Sequence, residues 1–321
     1  MIATQLTEMF GLRHPLLLAP MAGVAGGRLA AAVTNAGGLG LVGGGYGDLD
    51  WLRRELALVT KEARGPWGAG LITWAADTEK VEMVLGFHPA AILLSFGDPR
   101  PYVTPIKAAG CRLVCQVQTV AAATLAKEAG ADLVVAQGTE AGGHGGNRAG
   151  LPLIPAVVDA VAPIPVVAAG GIADGRGLAA ALVLGAQGAM LGTRFYASSE
   201  ALGRDDAKTC IVEAHGDHTR RTHVFDVVRG YDWPGGFTGR ALRNRFMERW
   251  DGREADLAAA PGERDAFREA VKAGDYDTAM IWASEGVDLI DDIATAAALV
   301  ARISLQAEAI LREGTARLQR R

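Results

Sequence analysis

Eight short apolar runs recur through the first 195 residues, and none of them alternates with polar residues. They are PLLLAP (15–20), GLGLVGG (38–44), WGAGLIT (67–73), AAILLSFG (90–97), CRLVCQVQ (111–118), ADLVVAQG (131–138), IPVVAAGG (164–171) and GAMLGTRF (188–195). A half-exposed strand alternates; a strand that is apolar throughout is covered on both faces, as in a parallel sheet wrapped by helices. Ala/Leu-rich stretches with helical spacing lie between the runs. In TVAAATLAKEAG, Thr119 is placed to cap a helix and Gly130 to end it. The step from a closing glycine into a buried strand repeats at 109–115, 129–135 and 184–191. This pattern predicts an α/β fold, a closed (β/α)8 TIM barrel, with a doubly wound open sheet as the competing architecture.

The character changes after residue 197. Residues 198–260 are richer in Arg, Asp and Trp and poor in long apolar runs. They are expected to form an irregular excursion, a lid or a small subdomain, with a short hairpin around Phe225–Val228. Helical spacing returns over 261–321, so residues 1–197 and 261–321 are expected to make the barrel and its closing helices.

Composition narrows the function classes. The formal net charge is −4 and no Lys/Arg block is present, which argues against nucleic acid as the main partner. No apolar run reaches membrane-spanning length, and MIATQLTEMFGLRHP lacks the layout of a secretory signal, so a cytoplasmic location is expected. Three cysteines suit a reducing compartment; Cys111 and Cys115 read as packing around a strand rather than as metal ligands. His215, His218 and His223 fall in HGDHTRRTH, where a polar surface loop is expected and no metal site.

In a barrel the chemistry sits at the C-terminal ends of the strands, and phosphate often sits on the loops after strands seven and eight. Those places carry AAGGIADGRG, with Gly170 and Gly171, and LGTRF, with Gly192 and Thr193. Backbone N–H groups at glycine turns and helix starts hold anions, so a phosphate-bearing cofactor is expected there. After strand six comes TEAGGHGG (139–146), a lone imidazole, His144, between two glycine pairs. Glu140 just upstream reads as structural.

Three stretches carry a resemblance: APMAGVAGGRLAAAVTNAGGLGLVGGG, AQGTEAGGHGG and VVAAGGIADGRGLAAALVLGAQGAMLGTRF. Over roughly residues 6–196 the chain resembles the nitronate monooxygenase (2-nitropropane dioxygenase-like) family. That family includes the flavin-dependent enoyl-acyl-carrier-protein reductases of the second type and an NADH:quinone reductase subgroup. The resemblance implies FMN as cofactor. It implies a phosphate cradle of Gly170, Gly171, Gly192 and Thr193, with Pro20 and Met21 against the isoalloxazine. Gln137 is implied as a ribityl or ring contact, and Gly143 as part of a loop pressed on the flavin. Gln116 stands where relatives often carry lysine, so it offers hydrogen bonds without charge. Gly70 stands where many relatives carry asparagine, which implies a wider pocket. Trp74 is a candidate pocket wall.

His144 matches the catalytic base. The implied reaction is oxidation of alkyl nitronates, and of nitroalkanes after proton removal, with O2 to a carbonyl compound and nitrite. The partners are then a small-molecule substrate and O2, and the family leaves room for a homodimer. Two alternatives stand beside it: an NAD(P)H-dependent reductase acting on an enoyl thioester or a quinone, and a non-catalytic flavin-binding protein, against which a placed base counts.

Overall fold

The computed structural model describes residues 2–318. Each of the eight apolar runs contains one barrel strand: β1 (Leu16–Leu18), β2 (Gly40–Gly43), β3 (Trp67–Ile72), β4 (Ala91–Ser95), β5 (Arg112–Val117), β6 (Leu133–Gln137), β8 (Val166–Ala169) and β9 (Ala189–Leu191). A further short strand, β7 (Gly143–Gly145), lies in the loop after β6. The eight barrel strands pair in parallel in the order β1-β9-β8-β6-β5-β4-β3-β2. A bridge between Leu17 and Leu39 draws the two outer strands together and all but closes the ring.

The non-alternating runs are explained by burial on both faces. Leu16, Leu18 and Val42 point outward into the layer under the helices, whereas Leu17, Leu41, Leu93 and Val135 fill the interior. Each such side chain, fully buried, stabilises by about 1.5–3 kcal/mol. Close helix–strand packing has a local requirement at Gly40, where an added Cβ would run into the backbone of Ala30. The floor of the barrel is sealed by the N-terminal helix Gln5–Phe10, which inserts Leu6 and Phe10 into the interior cluster. That seal leaves the opposite end, at the strand C-termini, for a site.

The C-terminal helix Ala296–Leu318 packs between the helices Gly27–Asn35 and Gly175–Val183 and so completes the outer ring. The segment before it is pinned to the end of β9 by Arg194. This arginine is 1% exposed and donates to the Asp292 carboxylate at 3.0 Å and to the Ala197 carbonyl at 2.7 Å.

The excursion is more regular than its composition suggests. It holds the strands β10 (Thr219–Thr222) and β11 (Thr238–Leu242) and the helices Asp205–Glu213, Val224–Arg229, Arg245–Trp250 and Glu254–Ala259. The hairpin expected around Phe225–Val228 is instead helical. Most of these elements are four to six residues long, too short to show a period in the sequence. They share a small core of Phe225, Phe246, Met247, Trp250 and Leu257, which also takes in Phe267 from the helix Glu263–Ala273. That helix therefore packs on this cap. The cap is joined to the barrel by an antiparallel sheet in the order β10-β11-β7.

Candidate active site

A cavity of about 490 Å³ opens at the C-terminal ends of the strands, within the usual range for cofactor and ligand sites. Pro20, Met21, Gln116, Gln137, Gly143, His144, Gly170, Gly171, Gly192 and Thr193 all line it. These residues come from strands β1, β5, β6, β8 and β9 and the loops that follow them. Parallel strands with a common direction bring such distant stretches to one rim.

The rim after β8 and β9 is rich in free donors. Among the described residues, the N–H groups of Gly171, Gly192 and Thr193 donate to no backbone carbonyl. Thr193 is buried, and its Oγ1 accepts from the Ser284 N–H at 3.0 Å, which leaves the hydroxyl proton for another acceptor. Gly170 and Gly171 both have positive φ, 105° and 71°, a turn that L side chains resist. Glu140 is turned away from this rim: both its oxygens accept from the Gly150 N–H, at 2.9 and 3.0 Å, at the start of the helix Gly150–Val161. Its role is structural, as its sequence position suggests. A cluster of donors without a facing carboxylate fits a phosphate.

The stretch TEAGGHGG leaves β6 and returns as β7, where His144 pairs with Gly239 of β11. Its glycines serve mainly the protein's own packing. A Cβ at Gly142 would strike the backbone of Ala283 and Ser284, one at Gly145 the Arg221 guanidinium, and one at Gly146 the Gln118 side chain. Gly143 differs: it has φ 69° and nothing near its missing Cβ, so it faces open space. Arg221 holds the loop by donating to the carbonyls of Thr139, Gly145 and Thr238, at 3.0, 3.3 and 2.6 Å. Gln137 holds it from below: its Nε2 donates to the His144 carbonyl at 3.0 Å, and its Oε1 accepts from Gln118 at 2.8 Å. One amide proton of Gln137 remains for a ligand.

His144 is 8% exposed, and its Nε2 lies 2.9 Å from both carboxylate oxygens of Asp226, itself 2% exposed. A carboxylate only accepts, so Nε2 carries the proton and Nδ1 the lone pair. The imidazole is stacked on Trp233, with centroids 3.5 Å apart and planes 4° from parallel. Trp282 lies 5.1 Å away and Phe96 stands edge-on at 6.5 Å. Burial lowers the His144 pKa from its ordinary value, against the opposing pull of Asp226. The imidazole is therefore neutral at neutral pH and able to take a proton. Phe96 sits at φ 62°, a left-handed conformation costly for a bulky residue. It places its ring against Trp233 and Phe237, at 5.0 and 5.2 Å.

Asp226, Phe96 and Arg221 were not found from the sequence, whereas Trp233, expected as packing or pocket wall, does line the cavity. For Asp226 a signal exists: it is a single carboxylate inside the apolar run VFDVV, and a buried Asp almost always has a partner. At Gly70 the expectation of a wider pocket is corrected. The Pro20 ring occupies the place where a Gly70 Cβ would stand. Trp74 does not itself line the cavity; it stands edge-on behind Trp233 at 5.2 Å. His215, His218 and His223 lie in the exposed or partly exposed turn before and after β10. Among the described residues no group of three His, Cys, Asp or Glu is placed to hold a metal. Cys111 and Cys115 are buried at β5, and burial pushes both thiols up to about 12. Among the described residues no helix is long and apolar enough to cross a membrane.

Comparison with known proteins gives a consistent neighbourhood. The family model for nitronate monooxygenase matches residues 3–79 and 71–306. A Mycobacterium tuberculosis (strain ATCC 25618 / H37Rv) relative, (3aS,4S,5R,7aS)-5-hydroxy-7a-methyl-1-oxo-octahydro-1H-indene-4-carboxyl-CoA dehydrogenase, is 35% identical over 272 residues, 83% of this chain and 74% of the relative. The structure of FabK from Thermotoga maritima superposes with a TM-score of 0.87 at 30% identity, covering 98% of this chain and 99% of that one. Nitroalkane oxidase from Streptomyces ansochromogenes superposes with a TM-score of 0.83 at 28% identity, covering 97% and 99%.

Proposed function

The chain belongs to the nitronate monooxygenase family, and on that premise we propose that it is an FMN-dependent oxidoreductase converting alkyl nitronates, with O2, to carbonyl compounds and nitrite. The observation that carries the proposal is the buried His144–Asp226 pair on the wall of the cavity. A neutral imidazole oriented by a carboxylate is a base for a carbon acid. A nitroalkane α-proton would pass to Nδ1, and the imidazolium formed would be stabilised by Asp226. A pre-formed nitronate would skip that step. Trp233, Trp282 and Phe96 keep water from the imidazole. The N–H groups of Gly171, Gly192 and Thr193 and the Thr193 hydroxyl would hold the FMN phosphate, and Pro20, Met21 and Gln116 would border the ring. FMN, when bound, supplies the acceptor for the substrate's electrons. The cytoplasm is the expected site of action, and the barrel with its cap is the expected working unit.

A second reading is favoured by one specific finding, the 35% identical indene-4-carboxyl-CoA dehydrogenase. The same base would then remove a proton α to a thioester carbonyl. Anaerobic stopped-flow mixing of the purified holoprotein with ethylnitronate, NADH and NADPH tests the main proposal. Ethylnitronate is expected to bleach the flavin absorbance without a nicotinamide. Bleaching by NADH or NADPH within milliseconds, with no reaction of the nitronate, overturns it in favour of a reductase.

A further inference from the structure

Behind Gln137 stands a second amide that does not reach the cavity. Gln118 is the residue after β5 and Gln137 is the last of β6; the register that pairs Val117 with Ala136 sets the two side by side. Both are buried, but only Gln137 lines the cavity. Gln116, two residues earlier and on the same strand face as Gln118, lines it directly. Gln118 instead ends against Gln137. It is held from a second side as well, for its Cβ and Cγ occupy the place that a Cβ on Gly146 would take. The barrel strand and the loop after β7 therefore clamp this one side chain between them.

A primary amide is nearly symmetrical in shape but not in polarity: its nitrogen donates and its oxygen accepts. The two neighbours of Gln137 select between its orientations. Nε2 donates to the His144 carbonyl at 3.0 Å, and Oε1 accepts from the Gln118 Nε2 at 2.8 Å. Turned over, the amide would set an oxygen against a carbonyl and an N–H against an N–H. Both buried groups would then lose their partners, which is costly. As placed, the second Nε2 proton is left for the cavity, so Gln137 offers a ligand a donor and not an acceptor. The two supports are not equivalent. The His144 carbonyl belongs to β7, which is laddered to the cap, whereas Gln118 is anchored at the end of a barrel strand. Without Gln118, nothing in the barrel would keep the amide oxygen from turning to the cavity.

We propose that Gln118 is a positioning residue: it fixes the Gln137 amide with an N–H toward the cofactor, and so raises the flavin's reduction potential without touching the flavin. A donor at that place favours the reduced ring over the oxidised one, because reduction adds negative charge. The inference rests on the FMN site proposed above, and the test separates the two. The holoenzyme is compared with Gln118→Met and Gln118→Leu, which keep bulk behind Gly146 but cannot donate. Gln137→Met and the double variant Gln118→Met/Gln137→Met complete a cycle. The midpoint potential is read by equilibration with a redox dye, FMN dissociation by dialysis of the holoenzyme, and folding by a thermal melt. The Gln118 variants are expected to shift the balance of reduced to oxidised flavin by roughly tenfold, the scale of one hydrogen bond, which lowers the potential by about 30 mV for a two-electron couple. Gln137→Met is expected to lower it at least as far, and Gln118→Met to add nothing in that background. A Gln118 variant that melts earlier or sheds FMN faster at an unchanged potential marks a structural role and overturns the proposal, as does a further drop in the double variant. An unchanged potential in Gln137→Met, or a protein that binds no FMN, removes the cofactor reading and this proposal with it.

Discussion

Replacing Asp226 with Asn tests the proposed base more sharply than replacing His144 itself. Asn has nearly the shape of Asp, so the Trp233 stack and the cap packing should survive, as a thermal melt would verify. What goes is the negative charge 2.9 Å from Nε2. In the proposed proton abstraction His144 would pass from neutral to cationic, so the carboxylate would stabilise the product of the step more than its reactant. A charge-assisted hydrogen bond contributes about 1.5–3 kcal/mol, and every 1.4 kcal/mol or so is tenfold in rate. The rate on neutral nitroethane should therefore fall by roughly ten- to a hundredfold. Ethylnitronate, already ionised, should lose far less. The apparent pKa in the nitroethane profile should move further down, because burial still lowers it and the opposing pull of Asp226 is gone. Oxygen uptake against pH on both substrates, at matched flavin content, reads all three effects. Equal losses on the two substrates, or an upward shift of the profile, would refute the reasoning.

Thr193→Val should weaken FMN binding about tenfold through loss of one hydroxyl donor, measured by flavin retained on dialysis; the released cofactor should chromatograph as FMN and not FAD. His144→Ala should lose a hundredfold or more on nitroethane and much less on ethylnitronate, with flavin content near wild type; no loss on either substrate would end its catalytic assignment. The depressed His144 pKa also acts on stability. Between its folded value and the ordinary value of about 6.5 the unfolded chain binds more protons, so stability should drop as pH falls through that window, and His144→Gln should flatten part of the drop in urea midpoint. Gly70→Ala should destabilise by about 1–3 kcal/mol through collision with Pro20, seen as a lower melting temperature.

The barrel was legible because burial on both faces leaves a signature that survives in one sequence: eight predominantly apolar runs and the glycines between them. The cavity rim was legible for a related reason, since residues following parallel strands must meet at one end. The imidazole could be picked out, but its partner could not. Asp226 lies 82 residues further on, in a helix of six residues whose neighbours gave no period. Pairing across that distance depends on how the cap folds back, which no local pattern encodes. The glycines of TEAGGHGG were located correctly but for an incomplete reason. Three of them answer to neighbouring chain at Ala283, Arg221 and Gln118, and one, Gly143, to open space. At Gly70 a one-residue comparison misled because the space was filled from another strand, by Pro20.

Because β7 is laddered to β11, the histidine belongs mechanically to the cap as well as to the barrel. A cap that swung away as a rigid lid would have to unzip that ladder and pull Asp226 and Trp233 off the imidazole in the same movement. Opening the cap and breaking the His144–Asp226 pair are therefore one coordinate, so the base proposed here would be competent only in the closed state. Amide hydrogen exchange at His144 and Gly239 should proceed together, at a rate set by that single event, and slow together when a ligand fills the cavity.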